Sequence, residues 1–179
     1  MTISPDLKPS PTSPTGDPPV PQPGWSVYVV IIMLTILAAA AGSIASIGVP
    51  EFYTALKRPT WAPPPWLFGP AWTILYTLMA IAACLVVKAK GWQASKGALA
   101  LYFFQLVLNG LWTWLFFRWR LGGLATFEIA IMWIAIGLAV YAFWKIRPLA
   151  GALLLPYWAW VSFASVLSFS TWQLNPGVL

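Results

Sequence analysis

The residues of this chain best suited to chemistry are aromatic rings and amides, set at helical spacing or held between prolines. The densest stretch runs Lys57-Arg58-Pro59-Thr60-Trp61-Ala62-Pro63-Pro64-Pro65-Trp66-Leu67-Phe68-Gly69-Pro70-Ala71-Trp72, with Tyr76 following. Prolines stiffen the backbone, so the neighbouring rings have little entropy left to lose when a ligand arrives. Trp72 and Tyr76 stand one turn apart on a shared helix face. Gln105, Asn109 and Trp112 follow i, i+4, i+7 and make a second stripe. Amides in an apolar helix must find partners, across helices or in a pocket. Trp160, Ala164 and Leu167 make a third stripe, a large ring beside a small residue that opens space. Glu128 is an acid inside an apolar run, either a functional group or an interfacial side chain reaching water, Arg118 or Arg120. Each pattern also has a plain structural reading: interfacial anchoring for the rings, interhelical bonding for the amides, ordinary packing for the third stripe.

Such residues bind flat apolar molecules more readily than they transform them. No paired-carboxylate site, histidine triad, metal cluster or Gly-rich phosphate loop stands in the sequence. With no histidine at all, the usual proton shuttle and the usual haem ligand are missing. Cys84 is the single cysteine, so an internal disulfide is excluded, and its apolar setting suits a small buried hydrophobe.

The elements that must position these residues are membrane helices. Of 179 residues, 60% are hydrophobic and 8% charged, whereas a soluble domain carries about 25% charged residues. The mean hydropathy is +0.76. A soluble fold cannot hide that much apolar surface, so the lipid bilayer is part of the solvent. The net charge of +6 comes from cations clustered between apolar runs, which suits membrane topology rather than nucleic acid.

The sequence thus predicts an all-α membrane protein, a five-transmembrane-helix bundle in one domain. Residues 1–24 hold eight prolines and read as a disordered tail. Residues 25–173 form the membrane domain, with helices expected over about 27–47, 67–87, 97–117, 124–144 and 149–171, and 174–179 as a short C-terminal tail. A signal-peptide reading of the first apolar run fits poorly, because a long tail precedes it and helix-compatible sequence continues past Ala40. Residues 48–65 are read as a loop. Ala38, Gly42 and Ser46 place small side chains on one face for close packing. Trp25, Trp92, Trp119, Trp144 and Trp172 fall near helix ends, where aromatic belts form. The tail and the second and fourth loops carry six Lys/Arg against four in the first and third, too even to orient the chain or name its membrane.

These motifs resemble those of the TspO/translocator family, the tryptophan-rich sensory proteins and peripheral-type benzodiazepine receptors. The match covers Arg58-Pro59-x-Trp61-x-Pro63-Pro64-x-Trp66-x-Phe68-Gly69-Pro70-x-Trp72 with Leu75-Tyr76, Gln105-Leu106-x-Leu108-Asn109-x-x-Trp112, and Leu155-Pro156-Tyr157-x-Ala159-Trp160. The resemblance implies a five-helix bundle, usually a homodimer, with a pocket that opens under the first loop. It implies ligands such as protoporphyrin IX, sterols and benzodiazepine-type drugs, the porphyrin held as ligand and not as a permanent cofactor. The ligand-binding positions it carries over are Trp61, Pro64, Trp72, Asn109, Trp160, Ala164 and Leu167, with Gln105 and Trp112 nearby. Phe169 and Gln173 replace the Tyr and basic residue of the sterol-associated pattern, which weighs against tight sterol binding. Leu124 stands where some members place a pocket Trp. Without histidine, a metal-free porphyrin is expected over haem, its propionates meeting Lys57 or Arg58. The leading expectation is a receptor or sensor for tetrapyrroles that tunes porphyrin or stress metabolism. A porphyrin or sterol transporter and a light-dependent porphyrin-degrading enzyme are the alternatives.

Overall fold

The computed structural model describes residues 23–179, whose regular structure is helical, with α1 Trp25–Ala45, α2 Val49–Ala55, α3 Phe68–Thr113, α4 Gly122–Ile146 and α5 Pro148–Leu174. The proline-rich tail expected over 1–24 lies outside the described residues except for its last two. Among the described residues, four helical elements are long and apolar enough to cross a membrane, which makes this an integral, multi-pass membrane protein.

One of the four is two helices in a single run. At about 1.5 Å per residue, the 46 residues of α3 would extend about 69 Å if straight, more than twice the ~30 Å hydrocarbon layer. The chain instead reverses at Gly91, whose φ of 74° and ψ of 167° lie in a region open essentially to glycine alone. The Ser95 hydroxyl donates to the Val86 carbonyl at 3.3 Å, a contact across nine residues that a straight helix could not make. The first arm (68–90) and the second arm (92–113) therefore lie side by side. Sequence reasoning expected a loop over 88–96; helical geometry runs through it, interrupted only at Gly91.

The remaining boundaries follow local chemistry. Gly48, at φ 78°, ends the α1 region and admits α2, which has Pro50 and Glu51 in its first turn where a missing amide and a negative charge are both favourable. This short helix occupies part of the stretch read from sequence as a loop. Arg147 is extended, as a residue before proline must be, and Pro148 opens α5 directly. Pro156 sits within α5, which a membrane helix tolerates where neighbours cover the freed backbone. Several serine and threonine hydroxyls are returned to carbonyls four residues back, as Thr35 to Ile31, Thr73 to Gly69 and Thr126 to Gly122, so these face lipid or core without orphaned donors.

α1 packs on the two arms of α3 and on the π-helical turn Trp114–Arg118 that follows; α4 packs on α3 and α5, and α5 closes the bundle against α3. The Thr35 hydroxyl meets the buried Tyr102 hydroxyl at 2.7 Å and pins α1 to the second arm. Tight seams between α4 and α5 depend on glycine: a Cβ on Gly122 would come 2.6 Å from the Trp172 ring, so Trp172 is a packing residue as well as a helix-end ring. The strap between α1 and α3 is tied to the far end of the chain. The Lys57 amide donates to Asn175 Oδ1 at 2.9 Å, and Asn175 Nδ2 donates to the Lys57 carbonyl at 2.8 Å and to the Thr171 carbonyl at 2.7 Å. Asn175 falls in what the sequence presented as a tail.

Gly91→Ala should destabilise the protein by about 1–3 kcal/mol, since a Cβ is poorly tolerated in that conformation. Thermal unfolding in detergent measures the loss, with Gly97→Ala, where a Cβ meets nothing within 4 Å, as the control. Asn175→Ala should free the strap while sparing the bundle. Each lost hydrogen bond is worth about 1 kcal/mol, so amide exchange at Lys57 should quicken by tenfold or more with little change in the α4 and α5 amides.

Candidate functional site

The strap, both arms of α3 and α5 enclose an aromatic cavity at one end of the bundle. Its volume is about 230 Å³, and its walls include Trp72, Trp112, Trp160 and Ala164. Pro50 and Tyr53 of α2 close it from the strap side, with Pro65 and Phe68 beside them. A second volume of about 510 Å³ adjoins it, sharing Ser46, Phe68, Gly69, Trp72 and Thr113 and reaching Tyr76 and Asn109. Together they fall within the ~300–1,000 Å³ of ordinary ligand pockets.

Trp72 is the hub of the walls. Its ring centroid lies 5.5 Å from Tyr76, 6.1 Å from Tyr157 and 6.4 Å from Trp160. Phe68 meets Trp160 edge-on at 6.1 Å and Tyr53 edge-on at 5.4 Å, so the strap and α5 join one aromatic array. On the other wall Trp112 stacks on Phe116 at 5.4 Å and meets Phe117 edge-on at 5.7 Å. Offset and edge-to-face pairs of this kind add about 0.5–1.5 kcal/mol each beyond their area burial and hold the rings in place.

Behind the rings lies a buried polar bridge. The Tyr76 hydroxyl donates to Asn109 Oδ1, and Asn109 Nδ2 donates to the Tyr157 hydroxyl at 3.3 Å, joining the first arm, the second arm and α5. The Tyr157 hydroxyl also points at Met132 Sδ of α4, 3.8 Å away. The Asn109 stripe read from the sequence is therefore an interhelical hydrogen bond and a polar spot beside the pocket at once.

The structure brings together some of the residues proposed from sequence and separates others. Trp72, Trp112, Trp160 and Ala164 share the cavity, and Asn109 lines the adjoining volume. Trp61 stands outside, 48% exposed, edge-on to Phe163 at 5.8 Å. Pro64 is exposed, and its neighbour Pro65 lines the wall instead. Gln105 is buried one turn from Asn109, and its Oε1 has no partner. Leu167 is buried in the α5 packing without lining the cavity. Glu128 is buried with both carboxyl oxygens unpartnered, so the expected reach to Arg118 or Arg120 is not made.

Sequence reasoning missed Ser46, Pro50, Tyr53, Thr113 and Phe117 as wall residues. Their spacing gave no signal, because they come from the residue just past α1, from α2, and from the C-terminal end of the second arm and its extension. Burial pushes the Tyr53 hydroxyl above its ordinary range, with the Arg58 charge opposing the shift, so Tyr53 is a neutral wall that donates to the Pro63 carbonyl at 3.2 Å. Among the described residues, no group of three or more Cys, Asp or Glu side chains could hold a metal ion. The arrangement offers flat apolar faces, a few amide and hydroxyl groups at one side, and cations on the strap.

The comparisons with known proteins agree with this architecture. The TspO/MBR family profile matches residues 20–173. The chain is 37% identical over 154 residues to Protein CrtK of Rhodobacter capsulatus, covering 85% of this chain and 94% of that one. It is 40% identical over 148 residues to Tryptophan-rich protein TspO of Chlorobaculum tepidum, covering 78% and 92%. It is 37% identical over 129 residues to the human Translocator protein, covering 71% and 76%. With an aromatic cavity under a proline-stiffened strap, a helical membrane fold and a match over most of its length, the chain belongs to the TspO/MBR family.

Proposed function

We propose that this protein is a membrane receptor or sensor that crosses the bilayer five times and binds a metal-free tetrapyrrole of the protoporphyrin IX kind. The observation that carries this reading is the convergence of Trp72, Trp112 and Trp160 on one cavity roofed by α2. Three indoles from three helical segments present broad apolar faces, which suits a flat ring system better than a chain-like or compact ligand. Trp72 and Trp160 contact each other and Trp112 is held by Phe116 and Phe117, so the walls are ordered before a ligand arrives and little entropy is lost on binding.

Five crossings follow from treating the two arms of α3 separately. Each arm of 22–23 residues is about 33–35 Å long, close to one bilayer thickness. The strap, the turn after α3 and the end of α5 then lie on one side of the membrane. A ligand reaching the cavity enters from that side, past the strap, or laterally between helices. Binding that reorders the strap would be visible outside the membrane, which is what a sensor of tetrapyrrole supply needs. Sterols and benzodiazepine-type drugs are further apolar candidates for the same walls. Phe169 and Gln173, which depart from the sterol-associated pattern, weigh against tight sterol binding.

Trp72→Ala and Trp160→Ala should each weaken protoporphyrin IX binding about five- to tenfold, as loss of one stacked ring implies. Quenching of the remaining tryptophan fluorescence on titration in detergent measures it; a double variant with unchanged affinity would defeat the reading. Haem should bind more weakly than protoporphyrin IX in the same titration, because a chain without histidine has no usual axial donor to offer its iron. Haem binding as tight as the metal-free ring, with a low-spin spectrum, would show ligation by some other group and overturn that preference.

A further inference from the structure

We infer that Arg120, together with Arg58, selects ligands that carry a carboxylate on an apolar body. The inference rests on the tetrapyrrole reading above and adds to it the feature of the ligand that is recognised at the mouth of the cavity.

Arg120 has a φ of 56° and is the only residue other than glycine with positive φ among the described residues. This is the left-handed region, where a Cβ crowds the following carbonyl and glycine is favoured. The turn it forms ends the π-helical extension Trp114–Arg118 of the second arm, and the Leu121 amide reaches back to the Leu115 carbonyl at 2.9 Å. Glycine would make this turn with less strain, and Gly122 and Gly123 stand just beyond it. An arginine kept in a strained backbone points to something its side chain does.

The side chain reaches the strap. The Arg120 guanidinium lies over the Phe52 ring at 4.8 Å, and the Arg58 guanidinium lies over the Tyr53 ring at 4.7 Å. Phe52 and Tyr53 are consecutive in α2, so two cations flank the helix that covers the cavity, and Tyr53 is itself a wall. A guanidinium stacked on a ring keeps its N–H edge free, and that edge matches a carboxylate in two-pronged fashion. Arg120 is exposed and Arg58 half-buried, so neither pays the heavy desolvation of a deep ionic site. The cavity beyond is walled almost wholly by aromatic and aliphatic groups. An acid group would rest at the mouth between the cations while the apolar body lies against Trp72 and Trp160. Arg120 contributes from the turn after the second arm and Arg58 from the strap, so the acid site forms only when the strap is seated.

The test uses the full-length chain in a neutral detergent, titrated with protoporphyrin IX and with its dimethyl ester, followed by tryptophan quenching. The wild type should prefer the diacid by roughly tenfold, the scale of one charge-assisted hydrogen bond, and the preference should shrink as salt rises. Arg120→Gly removes the guanidinium and relieves the backbone. It should melt no lower than the wild type, yet lose most of the preference by weakening diacid binding while the ester binds as before. Arg120→Lys, which keeps the charge without the fork, should retain part of it. Two results overturn the inference: a preference that survives Arg120→Gly, or an Arg120→Gly protein that weakens acid and ester alike. A wild type that binds both equally also overturns it and leaves the tetrapyrrole reading standing. A wild type that binds neither removes that reading and this inference together.

Discussion

The Asn109 amide is the interaction on which the rest of the site depends. Inside a bilayer a primary amide has no water to fall back on, so its donors and acceptor must be met by protein. Asn109 meets this demand with Tyr76 of the first arm and Tyr157 of α5, tying three helical segments at one level. Those two tyrosines also flank Trp72, with ring centroids 5.5 and 6.1 Å away. The polar bridge therefore sets where the central indole stands. Without it the same rings could pack against one another in several ways, because dispersion is non-directional and hydrogen bonds are not.

The cavity persists because its walls and its roof are held by different means. The walls are rings locked by edge-to-face contacts and by the helices that carry them. The roof is a strap stiffened by prolines, carrying one short helix, and tied at Lys57 to the last turn of α5 through Asn175. A side-chain amide that bonds both the amide and the carbonyl of one residue copies the pairing of a neighbouring strand, so it fixes the strap without a second strand. A small number of such ties can be broken and remade at modest cost, whereas the wall contacts are numerous and shared. The cavity therefore has walls held by many shared contacts and a cover held by few ties.

Membrane solvation explains the unusual economy of the bundle. Lipid does not drive helices together by hydrophobic force, so close approach and hydrogen bonding must do so. Gly122, Gly123 and Gly137 let α4 and α5 meet through Trp172 and Trp158 at distances a Cβ would close. The Trp133 indole donates to the Ser162 hydroxyl at 2.7 Å and the Trp158 indole to the Trp133 carbonyl at 3.2 Å, which adds polar seams to the same face. Trp172, a helix-end ring in the sequence, is thus structural as well.

What the sequence determined by itself was everything set by composition and local spacing. Charge content and apolar run lengths specify a helical membrane protein. The proline run specifies a stiff aromatic segment, and the i, i+4, i+7 stripe specifies that Gln105, Asn109 and Trp112 share a face. Tertiary structure alone decided which members of these sets meet. Trp72, Trp112, Trp160 and Ala164 converge, but Trp61 and Pro64, equally prominent in the motif, lie outside the cavity, because strap geometry and not spacing aims them. The reversal at Gly91 looks like a loop in the sequence, since charged residues around it hide a helix that needs only one positive-φ residue to turn. Asn175 and Arg120 were legible only as a tail residue and a loop cation. Their partners lie 118 residues away for Asn175 and in the strap, at Phe52, for Arg120, and no local pattern encodes a contact made by the closing of a bundle.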